Sequence, residues 1–161
     1  MKTKDIVLMG MLGALLFIFQ VAFAFLPNIE FVSLFIIIFT LKFGKKAILS
    51  IYVFALLEGL LYGFGIWWIM YLYIWTILAW AALIFQKKTS VLFWATLSAV
   101  FGLSFGALSS FPYFIIGGVG AGIGYWINGI PFDIVHCIAN FVVVLVLFQP
   151  MRIFFDRIKK I

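Results

Sequence analysis

Apolar residues run along this chain in blocks long enough to cross a bilayer, separated by short polar punctuation. A membrane helix needs roughly 20 apolar residues at about 1.5 Å each. Four blocks meet or approach that length, at 6–26, 66–85, 91–111 and 132–148. A fifth, at 47–64, is interrupted only by Glu58. A shorter block at 31–41 crosses only if it is tilted, thinned over or extended by its flanks. Counting it, the pattern predicts an all-α membrane protein, a single integral membrane domain with six transmembrane helices. The approximate spans are 6–26, 30–43, 47–64, 66–86, 90–111 and 132–150.

Composition excludes the soluble alternative. Hydrophobic residues make up 67% of the 161 positions and charged residues 10%, with a mean hydropathy of +1.29. An ordinary globular chain is about half apolar and a quarter charged. A soluble fold of this size would lack the polar residues to cover its surface.

The net charge of +6 could suggest nucleic acid, but its placement argues otherwise. Lys2 and Lys4 precede the first span, and Lys42, Lys45 and Lys46 follow the second. Lys87 and Lys88 follow the fourth; Arg152, Arg157, Lys159 and Lys160 follow the sixth. With six crossings all eleven basic residues fall on one side, which the positive-inside rule makes the cytoplasm. Dropping the short second span would put Lys42–Lys46 and Lys87–Lys88 on opposite sides. Both termini are therefore expected in the cytoplasm of a multi-pass cell-membrane protein, and the charge reports topology rather than a nucleic-acid partner.

The stretch 112–131 is apolar enough to resemble a span but holds six glycines between Gly117 and Gly129. A seventh helix there would move the C-terminal basic cluster outside, so a Gly-rich outer loop is expected between helices five and six. Irregular backbone at membrane depth survives only when buried in protein or lining a cavity. The N-terminus imitates a signal peptide, with Lys2 and Lys4, an apolar run and then Ala22-Phe23-Ala24. That run is about 20 residues, longer than the 7–15 of a cleaved signal, so it is read as a retained first span.

No familiar catalytic constellation appears. Gly44-Lys45-Lys46-Ala47 lacks the hydroxyl and the spacing of a P-loop. There is no His-Glu-x-x-His, and the single Cys137 excludes a disulfide or a multi-cysteine metal site. His136 could pair with Ser109 or Ser110, but no Gly-x-Ser-x-Gly elbow accompanies them. Neither an enzyme nor a cofactor is expected.

The acids carry more information. Asp5 and Asp156 sit among the basic residues, whereas Glu30, Glu58 and Asp133 fall in the outer half or the outer loops. Glu58 lies well inside the third span, where a carboxylate costs around 2.5–3.5 kcal/mol and usually faces a cavity or a partner. Tyr62 follows at i+4 on the same face. Two readings stand for Glu58, a ligand contact and a protonated side chain bonded to a neighbouring helix. Asp133, His136 and Asn140 are spaced i, i+3, i+7, which at about 100° per residue forms one polar stripe on the last helix. Pro131 suits that helix's first turn. Asp133 could simply favour the helix N-terminus, and His136 could be an interhelical donor.

Aromatics converge on the same side. Trp68, Tyr71 and Trp75 form one stripe in the fourth span, and Tyr113, Tyr125 and Trp126 lie in the Gly-rich segment. Interfacial belt or packing roles account for any one of them. Together with three acids and no base they describe an aromatic, net-negative pocket open to the outside. Such a pocket favours a flat heterocycle or a cation and disfavours a carboxylate or phosphate ligand. Small residues give the last signal. Ser98, Gly102, Gly106 and Ser110 run at i, i+4 along the fifth span as a packing face. Gly10, Gly13 and Ala14 share one face of the first, for internal packing or for docking another protein.

The whole chain resembles the substrate-binding subunit, or S component, of an energy-coupling factor vitamin transporter. The likeness is sharpest at Gly129-Ile-Pro-Phe-Asp-Ile-Val-His-Cys-Ile-Ala-Asn140, and the Leu26-Pro-Asn-Ile-Glu30 turn also fits. The resemblance implies capture of a vitamin or precursor from outside, between the outer loops and helices four to six. It implies partners too: a transmembrane scaffold subunit and two ATP-binding-cassette ATPases, which would supply the missing ATP hydrolysis. Family members dock through Ala-x-x-x-Ala in the first helix, and here the matching positions read Gly10-Met-Leu-Gly-Ala14. Thiamine-like, pyrimidine or pyridine ligands suit the pocket better than biotin, folate, lipoate or pantothenate; a corrinoid also stays open. Three other readings stand beside it: a self-sufficient secondary transporter or channel coupled through Glu58, a membrane enzyme dependent on His136, and an assembly factor that binds no small molecule.

Overall fold

The computed structural model describes residues 2–158, so Lys159 and Lys160 of the basic tail lie outside the described residues. The described residues form six α-helices and no strand: α1 (Thr3–Ala22), α2 (Val32–Phe43), α3 (Ala47–Tyr62), α4 (Ile66–Ile84), α5 (Val91–Ser109) and α6 (Phe111–Ile158). A 3-10 turn (Gly44–Lys46) joins α2 to α3. Among the described residues α1, α4, α5 and α6 are long and apolar enough to cross a membrane. Isoleucines, leucines and valines such as Ile6, Leu60, Ile84, Val100, Ile138 and Val146 point outward and stay exposed. Apolar exposure on this scale fits lipid rather than water, and the chain is an all-helical membrane protein.

Local chemistry marks the helix ends. Gly44 (φ 60°) and Gly63 (φ 86°) end α2 and α3 in the left-handed region that a side chain disfavours. The Glu30 carboxylate accepts from the Ser33 N–H at 2.8 Å, satisfying a free donor at the start of α2. Ser90 does the same for Phe93 N–H at the start of α5.

α2 is short because it stands inside the bundle. Every residue from Val32 to Thr40 is buried, which accounts for a stretch that is apolar but for Ser33 and Thr40. α5 and α6 run antiparallel along the small-residue face. Gly102 meets the His136 backbone, Gly106 meets the Asp133 carboxylate, and the Trp94 and Phe148 rings stack at 6.0 Å. Gly13 sits directly against Val53 and the Ser50 carbonyl of α3.

The basic residues gather at one end. Asp5 accepts from Lys46 at 2.8 Å, Asp156 pairs with Lys42, and Lys42, Lys88 and Arg152 line one small cleft.

The expected loop at 112–131 is overturned. That stretch is helical, and Pro131 lies within α6 rather than in its first turn. A single break at Gly118 (φ 76°) divides α6 into a short limb, 111–117, and a long limb, 119–158. The residues between the glycines are mostly Ile, Val and Ala, which offer the backbone no alternative hydrogen bonds. In an apolar setting an unsatisfied peptide costs more than glycine's roughly 1 kcal/mol deficit in a helix. Gly122 receives the Phe114 ring and Tyr113 stacks on Tyr125 at 4.2 Å, whereas Gly120 and Gly124 meet nothing within 4 Å. The two limbs therefore form a helical hairpin.

Candidate functional site

The polar stripe of α6 faces inward. Asp133, His136 and Asn140 are all buried, and Val144 and Phe148 continue the same seam. His136 Nε2 lies 3.1 Å from Glu30 Oε1. One turn deeper, Asn140 donates to Ser33 Oγ at 3.2 Å and more weakly to the Ser98 carbonyl at 3.4 Å. Asp133 accepts from the Gly106 N–H at 2.8 Å. These bonds tie α6 to α5 and to the entrance of α2.

Above this network, at the end of the bundle away from the basic residues, lies a cavity of about 320 Å³. The 23–30 segment, Gln20 and Tyr62 enclose it, and Glu30 and His136 form its polar wall. Its other wall is aromatic. Tyr71 meets Trp75 edge-on at 5.6 Å, Trp75 meets Phe105 at 5.5 Å, and Phe105 meets His136 at 5.1 Å. A second cavity of about 420 Å³ adjoins it, with Asn28 and Phe105 common to both. Gly106, Ser109, Tyr125, Asn128 and Asp133 line this second space.

The expected site residues thus divide. Tyr62, Tyr71, Trp75 and His136 line the first cavity, and Tyr125 and Asp133 the second. Asn140 sits behind His136 as a brace. Glu58 lines neither cavity; it is buried, and its Oε1 has no partner. Trp68 lines neither cavity and donates to the Ala55 carbonyl at 2.8 Å, which ties α4 to α3. Trp126 is 43% exposed and lines neither space. Of the first-helix residues, Gly10 faces open space and Ala14 is half-buried, whereas Gly13 is enclosed by α3 and offers no outer surface.

Gln20, Phe105 and Asn128 complete the walls without having been singled out, and Ser109 and Asn28 join them in roles other than those first weighed. Gln20 had a signal, as the lone amide in the first apolar block. Phe105 had none among 21 phenylalanines.

The acids also divide among themselves. Glu30 is engaged by His136 at 3.1 Å, Glu58 lines neither cavity, and Asp133 is the acid of the second cavity. Neither lining includes Lys or Arg. Among the described residues no three of His, Cys, Asp and Glu converge as metal ligands would. No protein-family model, curated protein or solved structure matches this chain. The functional reading therefore rests on the cavities and the residues around them.

Proposed function

We propose that this chain is the substrate-capturing membrane subunit of an ATP-driven importer, of the energy-coupling factor type, for a vitamin or vitamin precursor. In this reading six helices cross the cell membrane, both termini are cytoplasmic, and the cavities open outward. The observation that carries it is the 320 Å³ cavity, walled by Trp75, Tyr71 and Phe105 and by the buried Glu30–His136 pair. Ligand sites are concave, largely apolar and fitted with a few converging polar groups. The clustering of Lys42, Lys46, Lys88 and Arg152 at the opposite end supports the orientation. The open face at Gly10 and Ala14 supplies a surface for the scaffold subunit. ATP hydrolysis belongs to the two partner ATPases.

Co-purification from native membranes in gentle detergent tests the proposal. Recovery of a scaffold protein with two ATPases is expected, and a Gly10→Leu change should release them. A chain that purifies alone and moves solute unaided in liposomes would overturn the reading. The second reading, a self-sufficient transporter, is favoured by the buried, unpartnered oxygen of Glu58. It requires Glu58→Gln to abolish flux in the absence of any ATPase.

A further inference from the structure

We propose that the two adjoining cavities form one bipartite site for a flat heteroaromatic ring with an acceptor atom, bearing a tethered, positively charged amine. The inference rests on the capture reading above and names the chemical class of what is captured.

Three buried polar groups without partners carry it. Trp75, in the wall of the first cavity, is 2% exposed, and its Nε1–H has no acceptor. Asp133, in the wall of the second, is 5% exposed; Gly106 occupies one carboxylate oxygen and the other has no partner. Ser109 beside it is 3% exposed with an unpartnered hydroxyl. Buried polar groups in folded chains are almost always paired, so orphaned atoms on residues that line a cavity point to a missing partner.

The orphans differ in kind between the two spaces. An indole N–H can only donate, so the first cavity asks for an acceptor. An ionised carboxylate can only accept, so the second asks for a donor, best a cationic one. Tyr71, Trp75 and Phe105 provide the flat surfaces on which a ring stacks. Phe105 and Asn28, shared by both spaces, mark where the tether passes. A ligand carboxylate in the second cavity would face Asp133 with no Lys or Arg to offset it.

Three matched probes separate these demands: pyridylethylamine, ethylpyridine and pyridylpropionate. Their binding is measured by ligand-observed NMR on the full chain in nanodiscs. Pyridylethylamine should bind about tenfold or more tighter than the other two, as a hydrogen bond to a charged group allows. Asp133→Asn should erase that preference, whereas Trp75→Phe should weaken all three alike. If Asp133→Asn does not fold, Ser109→Ala should still reduce the preference several-fold. An equal or reversed order, a preference that survives these changes, or binding of none of the probes overturns the inference. A complex with both ATPases that fails this test would leave the import reading standing, because co-purification does not depend on the ligand.

Discussion

His136 Nε2 and Glu30 Oε1 stand 3.1 Å apart across 106 positions of sequence, and their contact closes the floor of the first cavity. Glu30 holds the histidine with one oxygen and caps Ser33 N–H with the other. A single carboxylate therefore links the start of α2 to the middle of α6. His136→Ala leaves Glu30 Oε1 buried without its hydrogen-bond partner, and stranding a buried polar group costs about 1–3 kcal/mol. Thermal unfolding in detergent should show the loss, and Glu30→Gln with His136→Gln together should recover part of it.

The α5–α6 seam depends on the absence of two side chains. A Cβ at Gly102 would lie 2.9 Å from the His136 carbonyl, where backbone cannot yield without separating the helices. At Gly106 it would strike the Asp133 carboxylate, which can swing away. Gly102→Ala should therefore cost about 1–3 kcal/mol and Gly106→Ala less, with a larger effect on ligand binding at Gly106. Unfolding and binding measured on the same samples check the order.

Two glycines three positions apart on α1 should behave oppositely. Gly13→Ala places a Cβ 2.6 Å from Val53 Cβ and should destabilise by about 1–3 kcal/mol. Gly10→Ala meets nothing within 4 Å and should leave stability unchanged or raise it by up to about 1 kcal/mol. Equal melting temperatures for the two variants would contradict the packing of α1 on α3.

Glu58 should prove a liability to the fold if it serves only as a buried side chain. Replacing it with Met, similar in volume and free of hydrogen-bonding demand, should stabilise by about 1–3 kcal/mol. Because Glu58 lines neither cavity, binding of the pyridine probes should change by less than about threefold. A large loss of binding would return Glu58 to the site.

Gly118→Ala forces a side chain into φ 76°, at a cost of about 1–2 kcal/mol. The hairpin of α6 should loosen before the bundle does. Hydrogen exchange should rise across 111–126 while α5 stays protected.

Much of this was readable before any coordinates. The apolar blocks at 47–64 and 66–86 match α3 and α4 to within two residues, and the glycines at 63 and 65 mark the break between them. The inward stripe of Asp133, His136 and Asn140 follows from helical periodicity alone. Partner choice did not follow. Glu30 lies 106 positions from His136, and only packing of α2 against α6 brings them together. Trp68 shares a face with Tyr71 and Trp75, yet its N–H turns to a carbonyl of the adjacent helix. The Gly-rich segment misled because a helix there implied a seventh crossing, whereas the break at Gly118 folds it back onto the start of the last helix.

The long limb of α6 spans residues 119–158 without a further break, although Pro131 and Pro150 lie within it. At about 1.5 Å per residue this rod is about 60 Å long, twice the thickness of the hydrocarbon core. It carries Tyr125 and Asp133 of the second cavity towards one end and Asp156, the partner of Lys42, at the other. A rocking of the rod by about 10° would carry one tip about 10 Å relative to the other. A tilt of this one helix would thus move the wall of the second cavity and the Lys42–Asp156 pair together.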